Sequence, residues 1–215
     1  MSFVLEMMPY LLSGAVTTVK LSVEAMAIAL VLGLAIALMR LSRSRSLQIF
    51  ATAYVEFIRG TPLLVQLFII YYGLPQYGIR LDAFTAGVSG LALNYSAYLA
   101  EVYRSGILAV DKGQWEAGNS IGLSRVALMS YVILPQAFRI ILPPVGNYFI
   151  SMLKDSALAA TVSVVELMRA AQLRVAITFR AMDIYLLVAV IYFIMSYPCS
   201  LIIRQLEKTM SRGHA

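Results

Sequence analysis

Long apolar stretches separated by clusters of arginine are the feature that most constrains this chain. Its 215 residues are 60% hydrophobic and only 13% charged, whereas a soluble domain is usually about a quarter charged. A chain of this length has too little interior to keep so much apolar surface away from water. Several helices must therefore use lipid as part of their solvent, so the sequence predicts an all-α, polytopic membrane protein.

Five membrane-spanning helices account for the apolar stretches. The predicted spans are 16–39, 47–74, 83–110, 126–153 and 184–203. The segment 154–183 is too charged to span and predicts only a short helix at 162–173. The chain shows no internal repeat, which favours one transmembrane domain over residues 1–215.

Helix-breaking residues interrupt two of these spans, so kinked helices are expected. In the second span the sequence Arg59-Gly60-Thr61-Pro62 breaks the apolar run, and Thr61 with Pro62 can begin a new helix. The fourth span contains Pro135, Pro143 and Pro144. A break at membrane depth is tolerated only where protein buries it or where it lines a cavity.

The distribution of basic residues predicts the orientation. The loop after the first span carries Arg40, Arg43 and Arg45 and no acid. The third loop, counted with its flanks, has Arg104, Lys112, Arg125 and Arg139 against Asp111 and Glu116, and the C-terminal tail has Arg204, Lys208 and Arg212 against Glu207. Cytoplasmic loops are enriched in Lys and Arg, so five spans place the N-terminus outside and the C-terminus in the cytoplasm. The segment 154–183 is unexpectedly basic for an outside loop. The net charge of +6 thus indicates topology rather than a nucleic-acid partner.

The scarcity of reactive residues excludes most enzyme classes. The chain has one cysteine, Cys199, and one histidine, His214 in the tail, so neither a metal site nor a cysteine or histidine catalytic set is expected. No Gly-Lys pair occurs, which excludes a phosphate loop. If the protein uses ATP, another chain must bind it.

The loop 111–124 predicts a short surface helix from Gly113 to Ile121, ended by Gly122. An exposed helix of this kind can dock into a groove on a partner protein. The segment resembles the EAA loop of permease subunits of binding-protein-dependent ABC importers. That pattern is Glu-Ala-Ala, three residues, Gly, nine residues, then Ile-x-Leu-Pro.

The match to the EAA pattern is made by Glu116, Ala117, Gly122, Leu134 and Pro135, while Gly118 replaces the second Ala and Val132 the Ile. The resemblance implies that this loop is the coupling helix, which sits in a cleft of the ATPase subunit. It implies ATPase contacts for Gln114 and Ser120 as well as for the matched residues and Gly118.

A second set of segments is similar to the permeases of the histidine, glutamine and arginine uptake group. The segments are Glu56 to Leu67, Tyr71 to Pro75, Ala97-Tyr98 with Glu101 and Arg104, and Leu153 to Ser156. The resemblance implies the type I ABC importer fold and a place in a bacterial or archaeal cytoplasmic membrane. It also implies an ABC ATPase that binds ATP and Mg²⁺, an extracytoplasmic amino-acid-binding protein and a second permease subunit. This chain itself is expected to hold no cofactor and to be no enzyme.

Polar residues inside the spans are candidates for the substrate site. Asn94, Tyr98 and Glu101 share one face of the third span. The remaining candidates, near the break and at the end of the fourth span, are Gln66, Asp155 and Ser156. The amides and the tyrosine offer donors to a carboxylate, and the two acids offer acceptors to an ammonium group. Two acids favour a cationic amino acid such as arginine, histidine or lysine.

Each candidate also has a structural interpretation. Glu101 lies one turn from Arg104, and Asp155 adjoins Lys154, so both acids are equally consistent with ion pairs. Asn94 and Gln66 are equally consistent with helix–helix hydrogen bonds. As a function class, the alternative is an ion-coupled secondary amino-acid transporter, which predicts inverted repeats that the sequence lacks.

Overall fold

The structure, a computed structural model, describes residues 2–211; Met1 and residues 212–215, which include His214, lie outside the described part. Residues 2–211 form nine α-helices and no strand, which confirms the all-α prediction. The helices are α1 (Ser2–Leu41), α2 (Arg45–Gly60), α3 (Leu63–Phe68), α4 (Ala83–Leu108), α5 (Lys112–Ser120), α6 (Arg125–Ala127), α7 (Leu134–Asp155), α8 (Leu167–Thr178) and α9 (Ala181–Ser211).

Three helical stretches in the described residues are long and apolar enough to cross a membrane: Phe3–Leu41, Arg125–Val162 and Ala181–Met210. The predicted break in the second span is confirmed as a bend of 103° between Arg45–Gly60 and Leu63–Tyr77, which together would make a fourth span. The 26 residues of α4 reach about 39 Å, long enough to cross. This helix is less apolar than those three stretches because neighbouring helices, not lipid, cover much of its surface. The count of five spans stays a prediction.

Several helices differ from their predicted bounds. The first begins at Ser2, well before residue 16, and the last runs Ala181–Ser211 instead of the predicted 184–203. The short helix of the 154–183 segment lies at Leu167–Thr178 instead of 162–173. It begins later because Ser156–Val162 continues from α7 as a 3-10 helix and because Glu166 caps α8. The carboxylate of Glu166 accepts hydrogen bonds from the backbone N–H groups of Met168 and Arg169 at 2.9 and 2.8 Å.

Widened turns precede two of the prolines. Ile69–Gly73 is a π-helical segment just before Pro75, and Leu128–Ile133 is another just before Pro135. A proline ring clashes with the carbonyl four residues earlier and offers no N–H to it. A π-helical turn relieves that clash because it shifts the hydrogen bonds by one residue. The chain can therefore pass each proline without losing its helix.

The centre of the protein is α4, which packs against α1, α2, α3 and α7. Its contact with α1 is the closest, because Gly33 of α1 lies directly against the backbone of α4. A methyl group on Gly33 would be 2.9 Å from Cβ of Leu99 and 3.0 Å from the carbonyl oxygen of Ser96. The large side chains nearby, including Leu21, Leu91 and Met152, are completely buried.

Two of the four basic residues of the 154–183 segment, Arg174 and Arg180, have partners on the N-terminal part of α1. The guanidinium carbon of Arg174 lies 3.2 Å from the ring centroid of Tyr10, and that of Arg180 lies 4.0 Å from the ring centroid of Phe3. Arg180 also pairs with Asp183 at 2.7 Å. These arginines contribute to packing, which explains why a segment predicted to lie outside is so basic.

We expect Gly33→Ala to destabilise the protein. The added methyl group would force α1 away from the backbone of α4, and such overpacking typically costs about 1–3 kcal/mol. The measurement is the thermal unfolding midpoint of the purified protein in detergent. Gly73→Ala is the matched control, since its new methyl group would find no atom closer than 3.8 Å. Equal midpoints for both variants would contradict the tight contact.

Candidate functional site

A cavity of about 430 Å³ lies beside the bend between α2 and α3. Its walls come from that bend, from α4 and from α7. We call it the tyrosine cavity; it is lined by Arg59, Gly60, Thr61, Pro62, Leu63, Asn94, Tyr95, Tyr98, Tyr148, Ser151 and Asp155. The break in the second span therefore lines a cavity, one of the two situations in which a membrane protein tolerates it.

An aromatic cluster forms one wall of the tyrosine cavity. The ring centroids of Tyr98 and Tyr148 are 5.5 Å apart, and each lies 6.2 Å from that of Tyr95. The guanidinium carbon of Arg59 lies 5.3 Å from the centroid of Tyr98, within the range of a cation–π contact. The rings hold one another in place and leave Arg59 as the cation at this wall.

Asp155 supplies a carboxylate on the α7 side of the cavity. The hydroxyl of Tyr95 donates to its Oδ2 at 2.6 Å. Among the described residues Asp155 forms no salt bridge, and the adjacent Lys154 does not pair with it. The carboxylate is therefore oriented by a neutral donor, and its charge is left uncompensated by any described side chain.

Asn94 is oriented through Gln66, which lies beneath the cavity lining. Asn94 donates its amide N–H to Oε1 of Gln66 at 3.1 Å. Gln66 in turn donates from Nε2 to the carbonyl oxygen of Ile58 and to Oγ1 of Thr61, both at 2.8 Å. The predicted helix–helix hydrogen bond is thus present. It joins α3 to α4 and satisfies the backbone at the end of α2.

Besides Gln66, two of the sequence candidates, Glu101 and Ser156, do not line the tyrosine cavity. The carboxylate of Glu101 forms salt bridges with Arg40 of α1 and Arg104 of α4. It faces a second cavity, of about 490 Å³. Ser156 is completely buried and donates its hydroxyl to the carbonyl oxygen of Leu153 at 2.8 Å. Glu101 is therefore an ion-pair residue in this structure. One of its two partners, Arg40, lies at the end of a different helix, α1.

Four side chains of the lining were not among the substrate candidates from the sequence: Arg59, Tyr95, Tyr148 and Ser151. The sequence does carry a signal for Tyr148, Ser151 and Arg59. Tyr148, Ser151 and Asp155 recur at i, i+3 and i+7 and so form one polar face of α7. Arg59 is a charge in the middle of an apolar run. The pairing of these two features across the cavity depends on the fold and has no sequence signal.

The predicted surface helix is present as α5, one residue earlier at each end than expected. The side chain of Asp111 caps its start by accepting from the N–H of Gly113 at 2.7 Å. At its end Gly122 has φ of +77°, and the N–H of Leu123 reaches the carbonyl oxygen of Gly118 at 3.1 Å. This is a Schellman ending, in which glycine supplies the left-handed residue.

One side of α5 is packed and the other is exposed. Trp115 packs on the buried cluster around Leu128 and Ile133. Gly118 lies so close to Leu128 that a methyl group would meet its Cδ1 at 2.3 Å, so the second alanine of the EAA pattern would require the Leu128 side chain to move. The exposed residues of α5 include Gln114, Glu116, Ala117 and Ser120. Leu134 and Pro135 are exposed at the start of α7, and Gln136 of α7 donates to Gln114 at 3.2 Å.

Residues 29–212 match the family described as the inner membrane component of binding-protein-dependent transport systems. The chain is 43% identical over 208 residues to the L-cystine transport system permease protein TcyB of Bacillus subtilis, covering 95% of this chain and 88% of that one. It is 40% identical over 203 residues to the probable glutamine ABC transporter permease protein GlnM of the same organism, covering 94% of each chain.

A crystal structure of an amino acid ABC transporter with histidines contains a chain that superposes on this one with a TM-score of 0.92 and 45% identity, covering 96% of each chain. The family match, these relatives and the superposition agree on one class of protein. They also set aside the alternative of an ion-coupled secondary transporter, because the relatives are ABC transporter permeases, whose ATPase is a separate subunit. The chain belongs to the inner membrane components of binding-protein-dependent transport systems and is the non-enzymatic permease subunit of an amino-acid ABC importer.

Proposed function

We propose that this permease moves a polar amino acid through the tyrosine cavity, with Asp155 receiving its ammonium group. The observation that carries the proposal is the unpaired carboxylate of Asp155, held by Tyr95 inside a cavity that also contains Arg59 and Asn94. An amino acid needs an anionic acceptor at one end and donors at the other. The cavity offers both, on opposite helices.

The donors for the carboxylate come from the side of the bend. Asn94 retains one amide hydrogen and its carbonyl oxygen after bonding Gln66. The first N–H groups of α3 have no partner within that helix, and Leu63 lines the cavity. Arg59 adds a positive charge nearby. Tyr98 lines the wall between these groups, so Asn94, Tyr98 and Asp155 are the sequence candidates we retain as contacts, with Gln66 as a residue that positions Asn94.

A neutral polar side chain suits this cavity better than the cationic one that the sequence suggested. The cationic preference required two free acids, but Glu101 is held by two arginines. Asp155 is then occupied by the ammonium group, which leaves Ser151 and the tyrosine hydroxyls for the side chain. A side-chain amide such as that of glutamine matches these groups. Neither Glu101 nor Ser156 is retained as a substrate contact.

The coupling role belongs to α5. Its outer face presents Glu116, Ala117, Gln114 and Ser120, while Trp115 and Gly118 hold the helix against the protein. Because one face of α5 is packed against the protein and the other is exposed, a movement of a bound partner can be transmitted to α7. The connection runs through Gly122, Leu134 and Pro135. The ABC ATPase subunit, which would bind ATP and Mg²⁺, is the partner that this surface would meet in the cytoplasm. The C-terminus would lie on the same side and the N-terminus outside, where the amino-acid-binding protein docks.

A second permease subunit would cover a polar groove between α7 and α9. The groove is lined by Asn147, Ile150, Ser151, Lys154, Phe193, Ser196, Tyr197 and Ser200. An exposed lysine and asparagine at membrane depth are costly against lipid. Coverage by a second permease, either this chain or a paralogue, would remove that cost.

The first test is Asp155→Asn in the complete transporter, permease and ATPase together, in nanodiscs. Loss of the charge should weaken binding of L-glutamine by roughly 10- to 100-fold, since a charged hydrogen bond contributes about 1.5–3 kcal/mol. Calorimetric titration measures the affinity, with L-arginine and L-histidine titrated in parallel. Asp183→Asn is the matched control, because Asp183 pairs with Arg180 away from the cavity. Wild-type affinity in Asp155→Asn for all three amino acids would refute the assignment.

The second test separates the two interpretations of Glu101. Glu101→Gln leaves Arg40 and Arg104 unpaired in a partly buried position, so we expect a stability loss of roughly 1–3 kcal/mol, smaller than for a fully buried pair because about 29% of the carboxylate side chain is exposed. The thermal unfolding midpoint should fall, while affinity for amino acids stays within about twofold. Glu6→Gln serves as the exposed control. An unchanged unfolding midpoint together with a loss of amino-acid affinity would show that Glu101 contacts the substrate.

The third test addresses α5. Glu116→Lys reverses the charge at the centre of the exposed face and should lower the amount of co-purifying ATPase subunit, or its amino-acid-stimulated hydrolysis, by about 10-fold, equivalent to about 1.4 kcal/mol of interface energy. Glu6→Lys, at the opposite end of the protein, is the matched charge reversal. Normal assembly together with normal stimulated hydrolysis in Glu116→Lys would remove α5 from the ATPase contact.

A further inference from the structure

Two cavities meet at one shared wall. The second, which we call the exit cavity, is lined by Arg40, Val55, Glu56, Arg59, Gly60, Tyr98 and Glu101. It shares Arg59, Gly60 and Tyr98 with the tyrosine cavity. No other residue belongs to both linings, so these three residues form the wall between the two cavities.

The exit cavity lies on the side of the tyrosine cavity that leads to α5. On α4, Glu101 is about two helical turns beyond Asn94 toward that helix. Arg40 is in the last turn of α1, next to the arginine-rich connection to α2. In the predicted orientation, a solute leaving the tyrosine cavity toward the cytoplasm must pass the wall and enter the exit cavity.

Of the two side chains in this wall, only Arg59 is free to move. The ring of Tyr98 is held between Tyr95 and Tyr148. Arg59 is exposed, and within residues 2–211 its one interaction is the cation–π contact with Tyr98. Such a contact is weak when one side is open to solvent. The guanidinium can therefore leave the ring at little cost if another partner is near.

That partner is Glu56. It lies three residues before Arg59 on α2, a spacing at which side chains on a helix reach each other. Glu56 lines the exit cavity, is exposed, and forms no hydrogen bond or salt bridge within the described part of the chain. Glu101, the other acid of the exit cavity, is already occupied by Arg40 and Arg104. Glu56 is thus the acid available to Arg59.

We propose that Arg59 gates the passage between the two cavities: it closes the passage while its guanidinium lies over Tyr98 and opens it by moving to the carboxylate of Glu56. The inference rests on the proposed function, since it concerns how the substrate leaves the tyrosine cavity. Because an exposed ion pair is also weak, neither position of Arg59 dominates, and a change in the angle of the bend between α2 and α3 is enough to select one.

The test measures access to the tyrosine cavity and does not depend on which amino acid is carried. Cys199 is the sole cysteine of the chain, so Cys199→Ser gives a cysteine-free permease in which Leu63→Cys places one thiol in the tyrosine cavity. The complete transporter is prepared in inside-out vesicles and labelled with a membrane-impermeant methanethiosulfonate reagent. The rate of labelling reports how often the passage is open from the cytoplasmic side.

Tyr98→Leu removes the partner of Arg59 in the closed position, so we expect the labelling rate to rise at least fivefold. Glu56→Gln removes the partner of Arg59 in the open position, so we expect the labelling rate to fall at least threefold. Tyr98→Phe keeps the ring and should label like the parent, as should Glu6→Gln, the matched loss of an exposed carboxylate. If Tyr98→Leu does not fold, Glu56→Gln and its control decide the matter alone. Equal labelling of the Glu56→Gln, Glu6→Gln and parent proteins would overturn the gate.

Failure of the gate and failure of the substrate site give different results. If the gate is wrong but the site is right, Glu56→Gln labels like the parent and L-glutamine still protects Leu63→Cys from the reagent. If the site is wrong but the gate is right, the variants change labelling as expected and no amino acid protects. Arg59→Lys gives a further check, because a lysine can pair with Glu56 but stacks less well on Tyr98; it should label faster than the parent.

Discussion

The absence of water at membrane depth is the constraint on which the rest of this structure depends. A chain that breaks its helix there leaves backbone groups without partners, and each unpaired group is expensive in lipid. The amide of Gln66 meets this requirement by donating to the carbonyl oxygen of Ile58 and to Thr61 across the bend. Its own oxygen then accepts from Asn94, so the same side chain that repairs the break also attaches it to α4.

The cavity is a consequence of this repaired break. The bend of 103° brings Arg59 and Leu63 to one side of the space, while Tyr95 and Asp155 close the other. The polar groups of the bend are thereby presented to a solute and shielded from lipid, which is the arrangement that a transport path requires.

The charged residues that border the two cavities are of two kinds, those with an ion-pair partner and those without one. Arg40 and Arg104 converge on Glu101 and join the end of α1 to α4. Asp155 and Glu56 have no basic partner among the described residues, and each lines a cavity. A charged group with a fixed partner, such as Glu101, holds helices together. A charged group without one, such as Asp155 or Glu56, is available to a ligand or to a moving side chain.

The sequence by itself determined the membrane class, the break at Arg59-Gly60-Thr61-Pro62, the capped helix ended by Gly122 and the polar face of α4. These features are local: they depend on apolar runs, on proline and glycine chemistry, and on helical spacing, all of which can be read along the chain. Only the tertiary structure decided that Glu101 pairs with Arg40, 61 residues earlier, that neighbouring helices cover much of α4, and that Tyr148 and Arg59 border one cavity. Those facts depend on which helices become neighbours, and helix neighbours are chosen by close contacts such as that of Gly33 with α4, for which the sequence carries no periodic signal.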